Sequence, residues 1–296
     1  MPTARPAGFS LQGLSFCGFI VRLWNSVNDD DIVNRAAELA YYFLFALFPA
    51  LIFISAMFGM FASTKTQANI ELMLYLGKVI PPGAFGMVEA AFSSTTRASD
   101  SGKLLFGALV ALWSATYGMS SAQNILNVVY RVRETRPYWR AKLVAMLLTL
   151  AIFVLVFSAM LLLLVGDYVM KIVANDWLTN GTILIAWGVI RLVAALFFLS
   201  LVFSLTYHWG PDRKGHKWRW ISPGAVAGIA GWLGVSIGFR VYLHFFNNYA
   251  VLYGSFGTVI VLLTWFYVSG LMLLLGAEIN ATLECAAQEK QSASSA

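Results

Sequence analysis

The sequence predicts an all-α polytopic membrane bundle of six transmembrane helices with both termini cytoplasmic. Three observations carry that expectation. The first is composition: 59% of residues are hydrophobic and 11% charged, against about a quarter charged in a soluble domain. The second is six long apolar runs, 39–62, 104–130, 143–166, 182–209, 222–239 and 258–277. A spanning helix needs about 20 mainly apolar residues at about 1.5 Å each. Five of the runs hold no Asp, Glu, Lys or Arg, and the exception holds Arg191. Apolar residues recur on every side of these runs, unlike the alternation of a barrel strand. The third is the charge of the loops. Arg131, Arg133, Arg136, Arg140 and Lys142 follow run two, and Arg213, Lys214, Lys217 and Arg219 follow run four. Only Lys171 and Arg240 mark the segments after runs three and five. Short loops rich in Lys and Arg stay in the cytoplasm, so the loops after runs two and four face inward.

The chain divides into an interfacial N-terminal segment at 1–38, a six-helix domain at 39–284, and a polar tail at 285–296 expected to be disordered. Phe16, Ile20, Leu23, Trp24 and Val27 share one helical face that suits the inner membrane interface. Asp29, Asp30 and Asp31 then provide an N-cap for a helix starting near Ile32, in which Arg35 and Glu38 lie three apart. Pro49 interrupts run one and should kink it. In the outer segment 63–103, Pro81-Pro82-Gly83 separates two short helices expected to lie on the bundle's outer mouth. Ser222 and Pro223 form a start signal for run five. That run carries Gly224, Gly228, Gly231, Gly234 and Gly238, and such small residues let helices approach in lipid or act as a hinge.

The net charge of +6 comes mainly from the inner loops. It reads as topology and as attraction to anionic lipids, not as a nucleic-acid groove. Tyr138, Trp139, Trp218 and Trp220 among those charges read as the interfacial aromatic belt. Cys17 and Cys285 fall on the reducing side, so no disulfide is expected. No catalytic, cofactor or metal pattern is visible: HExxH, GxSxG and the phosphate loop are all missing. The candidate functional residues are instead polar groups at membrane depth. On run two, Tyr117, Ser120, Asn124 and Asn127 follow one stripe, which either lines a substrate path or packs against neighbours. Arg191 either snorkels outward or holds an anionic group such as a lipid phosphate. On the inner face, Arg35, Glu38, Arg136, Arg140, Glu278 and Asn280 form a candidate ionic network, with Glu278 placed to pair with Arg136 or Arg140.

Several segments resemble the BrkB/YihY-like membrane proteins. They are Asn34–Pro49; Trp113, Asn127, Tyr130, Glu134 and Arg136-Pro137; and Tyr253–Gly257, Trp265 and Gly276–Asn280. The resemblance covers residues 30–284 and implies a bacterial inner-membrane protein with six spanning helices. The family has carried ribonuclease BN and virulence-factor labels, and members have been linked to envelope lipid export. The expected function is non-enzymatic handling or translocation of an amphipathic, anionic, lipid-like envelope substrate. The alternative is a structural membrane protein that binds an envelope protein or a second copy of itself. A ribonuclease ranks last, because the sequence gathers no catalytic constellation. Membrane lipids are the expected partners, with no nucleic acid.

Overall fold

A computed structural model describes residues 15–61, 101–173, 181–213, 218, 220–245 and 255–295. The described elements are all helical: α1 Phe16–Asp29, α2 Ile32–Phe61, α3 Ser101–Val129, α4 Tyr138–Val173, α5 Gly181–Trp209, α6 Pro223–Phe245 and α7 Ser255–Ser295. Four of them are long and apolar enough to cross a membrane, over Tyr138–Ala159, Ile185–Trp209, Pro223–Tyr242 and Val259–Ser294. Large apolar side chains stand exposed along them, among them Leu147 and Val154 on α4, Val193 and Phe197 on α5, and Ile237 and Val241 on α6. Exposed apolar surface on that scale marks contact with lipid. The short helices expected on the outer mouth, and the Pro81-Pro82-Gly83 break, lie outside the described residues.

The chain forms two compact units. One contains residues 1–33, 123–232 and 272–296; the other contains residues 34–122 and 233–271. In the first unit, α4 packs along α5. Ser15 caps α1, its hydroxyl accepting from the Gly18 N–H at 3.1 Å. Phe16, Ile20 and Trp24 point outward, whereas Phe19 turns inward onto Leu283 and Ala287 of α7. The acidic triplet divides its work: Asp29 ends α1, Asp30 is its C-cap, and Asp31 takes a left-handed φ of 53° just before α2. Aspartate tolerates that conformation better than most residues.

The expectation of a disordered tail at 285–296 is corrected, because α7 continues to Ser295. Ala, Glu, Gln and Lys in the tail favour helix. Packing on Phe19 and the ion pair from Arg22 to Glu289 at 2.8 Å add tertiary support. Polarity alone therefore misjudged this segment. At the start of α6, Ser222 caps as expected, accepting from the Ala225 N–H at 3.1 Å.

In the second unit, α2 begins among buried Ala36, Leu39 and Ala40 and runs through Pro49 without losing its helical assignment. A Cβ on Gly118 would touch Tyr42 at 3.4 Å, and one on Gly270 would touch Leu39 at 3.4 Å. Phe43 and Phe266 meet edge to face at 6.0 Å. Small residues thus set the helix spacing here as well.

Candidate functional site

The densest polar geometry lies in the first unit, where α3 ends. Tyr130, Arg131 and Val132 close the helix: the Arg131 N–H donates to the Val128 carbonyl and the Val132 N–H to the Asn127 carbonyl. This is a Schellman closure, with Arg131 at φ 53° where glycine is usual. The buried Asn127 side chain then points back into the loop. Its Nδ2 donates to Glu134 Oε2 at 2.9 Å, and its Oδ1 accepts the Asp212 N–H at 2.8 Å. Glu134 holds Arg136 through two bonds of 2.7 Å. Arg136 in turn donates to the Gly210 carbonyl at 3.1 Å and the Trp209 carbonyl at 3.4 Å. Those carbonyls sit at the C-terminus of α5, where a cation is electrostatically favoured. Asp212 accepts the Thr135 N–H at 2.7 Å.

A second arginine extends the network to α7. Arg213 pairs with Glu284 at 2.8 Å, donates to the Tyr207 carbonyl at 2.7 Å, and lies 3.9 Å over the Tyr130 ring. The Tyr207 hydroxyl donates to the Leu273 carbonyl at 2.7 Å. Asn280 joins α7 to α6, accepting the Gly224 N–H at 2.8 Å and donating to Ser222 Oγ at 2.9 Å. His208, Trp209, Trp218 and Trp220 form an aromatic cluster beside it, with successive centroids 4.7 to 5.5 Å apart.

Glu278 is 1% exposed, and its Oε1 is buried with no hydrogen-bond partner among the described residues. The expected pairing of Glu278 with Arg136 is corrected, since Glu134 and the α5 carbonyls occupy that guanidinium. Glu134 is two residues away, so the local partner closes at less entropic cost. Arg140 lies 5.0 Å over the Trp139 ring.

A sequence profile described as Virulence factor BrkB matches residues 23–296. The chain belongs to that family. Among its relatives, the ribonuclease-like protein YfkH of Bacillus subtilis is 34% identical, covering 90% of this chain and 94% of its own length. A UPF0761 membrane protein of Stenotrophomonas maltophilia is 26% identical over 92% of this chain. One from Xanthomonas oryzae is 25% identical over 88%. The chain spans 61% and 59% of those two relatives' lengths. No solved structure matches.

In this BrkB-family chain, three of the residues that carried the resemblance, Asn127, Glu134 and Arg136, are joined at the C-terminal end of α3. The run-two stripe divides. Asn127 is buried in the network, whereas Asn124 and Tyr117 are exposed. Ser120 donates to the Thr116 carbonyl at 2.8 Å on its own helix. Thr116 and Gln123 are buried instead, one position off the expected stripe. In the second unit, Glu38 accepts from Ser121 Oγ at 2.6 Å, and Arg35 sits half-buried on the same helix. Arg191 donates to the Leu163 carbonyl of α4 at 3.3 Å. The reading from sequence missed Asp212, Arg213 and Glu284 as members of the site. No motif spacing flags them, because their partners lie far away in the chain.

The Arg136 guanidinium holds the Glu134 carboxyl below the usual carboxylate range, with Asn127 assisting against partial burial. Glu134 reciprocally raises Arg136. A carboxyl depressed by folding adds stability above its unfolded titration range and withdraws it as pH falls through the lowered folded value. We therefore expect unfolding midpoints in mixed micelles to decline at acidic pH, with a shallower decline in Glu134→Gln. An identical acid slope in that variant would remove Glu134 from the acid response.

Proposed function

We propose that this chain is a non-enzymatic protein of the bacterial inner membrane that handles or translocates an amphipathic, anionic, lipid-like envelope substrate. Six spans with both termini cytoplasmic belong to the same proposal, α2 and α3 adding to the four apolar spans. The observation that carries it is Arg191. A charge inside an apolar span costs about 2.5–3.5 kcal/mol on insertion scales, yet Arg191 lies within α5 and leans on the α4 backbone. That posture keeps a guanidinium beside the lipid-facing surface, where a phosphate is its natural partner. The basic loops after α3 and α5 favour the same anionic chemistry at the inner leaflet. Any driving force would be passive or an ion gradient, since the sequence contains no phosphate-binding loop.

The test is transfer of fluorescent phosphatidylglycerol and phosphatidylcholine in proteoliposomes. Expected is faster transfer of the anionic lipid, falling about tenfold in Arg191→Gln, as for one lost charge-assisted hydrogen bond. No acceleration across lipids and imposed gradients would sink the transport reading. A structural, partner-binding role is the second reading. It is favoured by Asn127, Arg136, Arg213 and Asn280, each of which bonds a segment distant in the chain.

A further inference from the structure

Threonines inside these helices direct their hydroxyls onto their own backbone. Thr116, Thr149, Thr206 and Thr264 each donate to the carbonyl four residues earlier, at 2.6 to 2.8 Å. Thr282 of α7 does not. It is 6% exposed, and its Oγ1 is buried with no hydrogen-bond partner among the described residues. Glu278 lies one turn earlier on the same face, 1% exposed, and its Oε1 likewise has no partner among the described residues. Both side chains line a cleft of about 210 Å³ in the first unit, bounded by α1, the turn after α3, and α7. Asn25 and Asp29 on the α1 wall are exposed, so the cleft opens to solvent on that side.

The lining selects for a donor that carries positive charge. A carboxylate oxygen only accepts, and a carboxylate kept from water is costly without a counter-charge. The Thr282 hydroxyl accepts as well. Asp29, Glu278 and Glu289 stand against Arg22 and Arg131, and Arg22 is already held by Glu289 at 2.8 Å. An anion is therefore disfavoured beside Glu278. A metal ion is poorly served, because no group of three or more His, Cys, Asp or Glu among the described residues could hold one. A single water takes up only about 10–15 Å³ of such a volume. A primary ammonium brings one positive charge and three N–H donors, enough for both α7 oxygens and for Ser26 on the α1 wall.

We propose that this cleft binds a primary ammonium group, held by Glu278 and Thr282 of α7. A free alkylamine and the headgroup of phosphatidylethanolamine carry that same chemistry. The site stands apart from the lipid-handling proposal, which rests on Arg191. Its test reads occupancy of the cleft and not lipid transfer, so either reading can fail alone.

Cys285 lines the same cleft and is half-buried, so its reactivity reports what the cleft holds. With Cys17→Ser it is the chain's one thiol. The experiment follows alkylation of Cys285 by iodoacetamide in the full chain, in nanodiscs of phosphatidylcholine or of phosphatidylethanolamine. Expected is slower alkylation when ethanolamine is added, or when phosphatidylethanolamine replaces phosphatidylcholine. Protection by the lipid alone assigns the ligand to the headgroup, and protection by ethanolamine alone assigns it to a soluble amine. Choline, which has the charge and the hydroxyl but no N–H, gives none. Glu278→Gln raises the half-protecting concentration about tenfold, as for one lost charge-assisted hydrogen bond, and Thr282→Val raises it less. If neither source slows alkylation of the native glutamate chain, the cleft holds water only and the site is overturned, whether or not the variants fold. Equal protection by choline overturns recognition through the N–H donors.

Discussion

Replacing Arg136 with alanine lowers the unfolding free energy in mixed micelles by about 2–4 kcal/mol. The guanidinium serves three groups at once. It holds Glu134 through two bonds of 2.7 Å, closes the Gly210 and Trp209 carbonyls of α5, and stands 3.9 Å from Asp212. Alanine removes the positive charge that Glu134 and Asp212 both face. Breaking one side of a fully buried pair costs about 3–5 kcal/mol. The Arg136 and Glu134 side chains are 17% and 29% exposed, and water repays part of that loss. Lysine restores charge but not the planar fork, so Arg136→Lys recovers only part of the stability. A double-mutant cycle with Glu134→Gln isolates the coupling. A change under about 0.5 kcal/mol, typical of a surface site, would show that the network does not hold the α3 and α5 termini.

Gly224→Ala and Gly276→Ala each destabilise by about 3 kcal/mol or more, at the upper end of overpacking costs. A Cβ on Gly224 would overlap the Gly276 carbonyl oxygen and lie 2.6 Å from Asn280 Cγ. One on Gly276 would overlap the Tyr207 hydroxyl and meet the Gly224 carbonyl oxygen at 2.5 Å. The obstruction on each side includes backbone, which cannot change rotamer. Relief requires α6 and α7 to part, and parting breaks the Asn280 bond to the Gly224 N–H. Gly231 is milder, because its neighbour is the flexible Met272 side chain. Gly234 and Gly238 meet nothing within 4 Å among the described residues, so alanine there is tolerated or gains up to about 1 kcal/mol of helix propensity. Denaturation of the five variants side by side provides the check. Equal stability of Gly224→Ala and Gly234→Ala would refute the close approach of α6 and α7.

That glycine series shows where sequence reading stops. Five glycines on one run announce a helix with small faces. Which of them touches another backbone depends on the partner helix, far away in the chain. The run-two polar stripe behaves alike. Helical periodicity placed Asn124 and Asn127 together, yet Asn127 is buried and Asn124 exposed. A boundary drawn one residue around the helix cannot be chosen without knowing what packs there. Arg136 was legible as a candidate ionic residue, but not its partner Glu134. Charge pairing in three dimensions does not follow from charge in the chain.

By itself, the sequence determined that this is a helical membrane protein, where four of its apolar spans lie, and its family membership. Hydrocarbon demands long apolar helices whose backbone bonds close locally, and so the requirement is written in consecutive residues. Only the tertiary structure decided which polar groups meet. The joining of Asn127 to Asp212, the pairing of Arg213 with Glu284, and the close approach of Gly224 to Gly276 all unite residues from separate stretches of the chain. Such bonds depend on helix rotation and approach to within an ångström, which composition and periodicity do not specify.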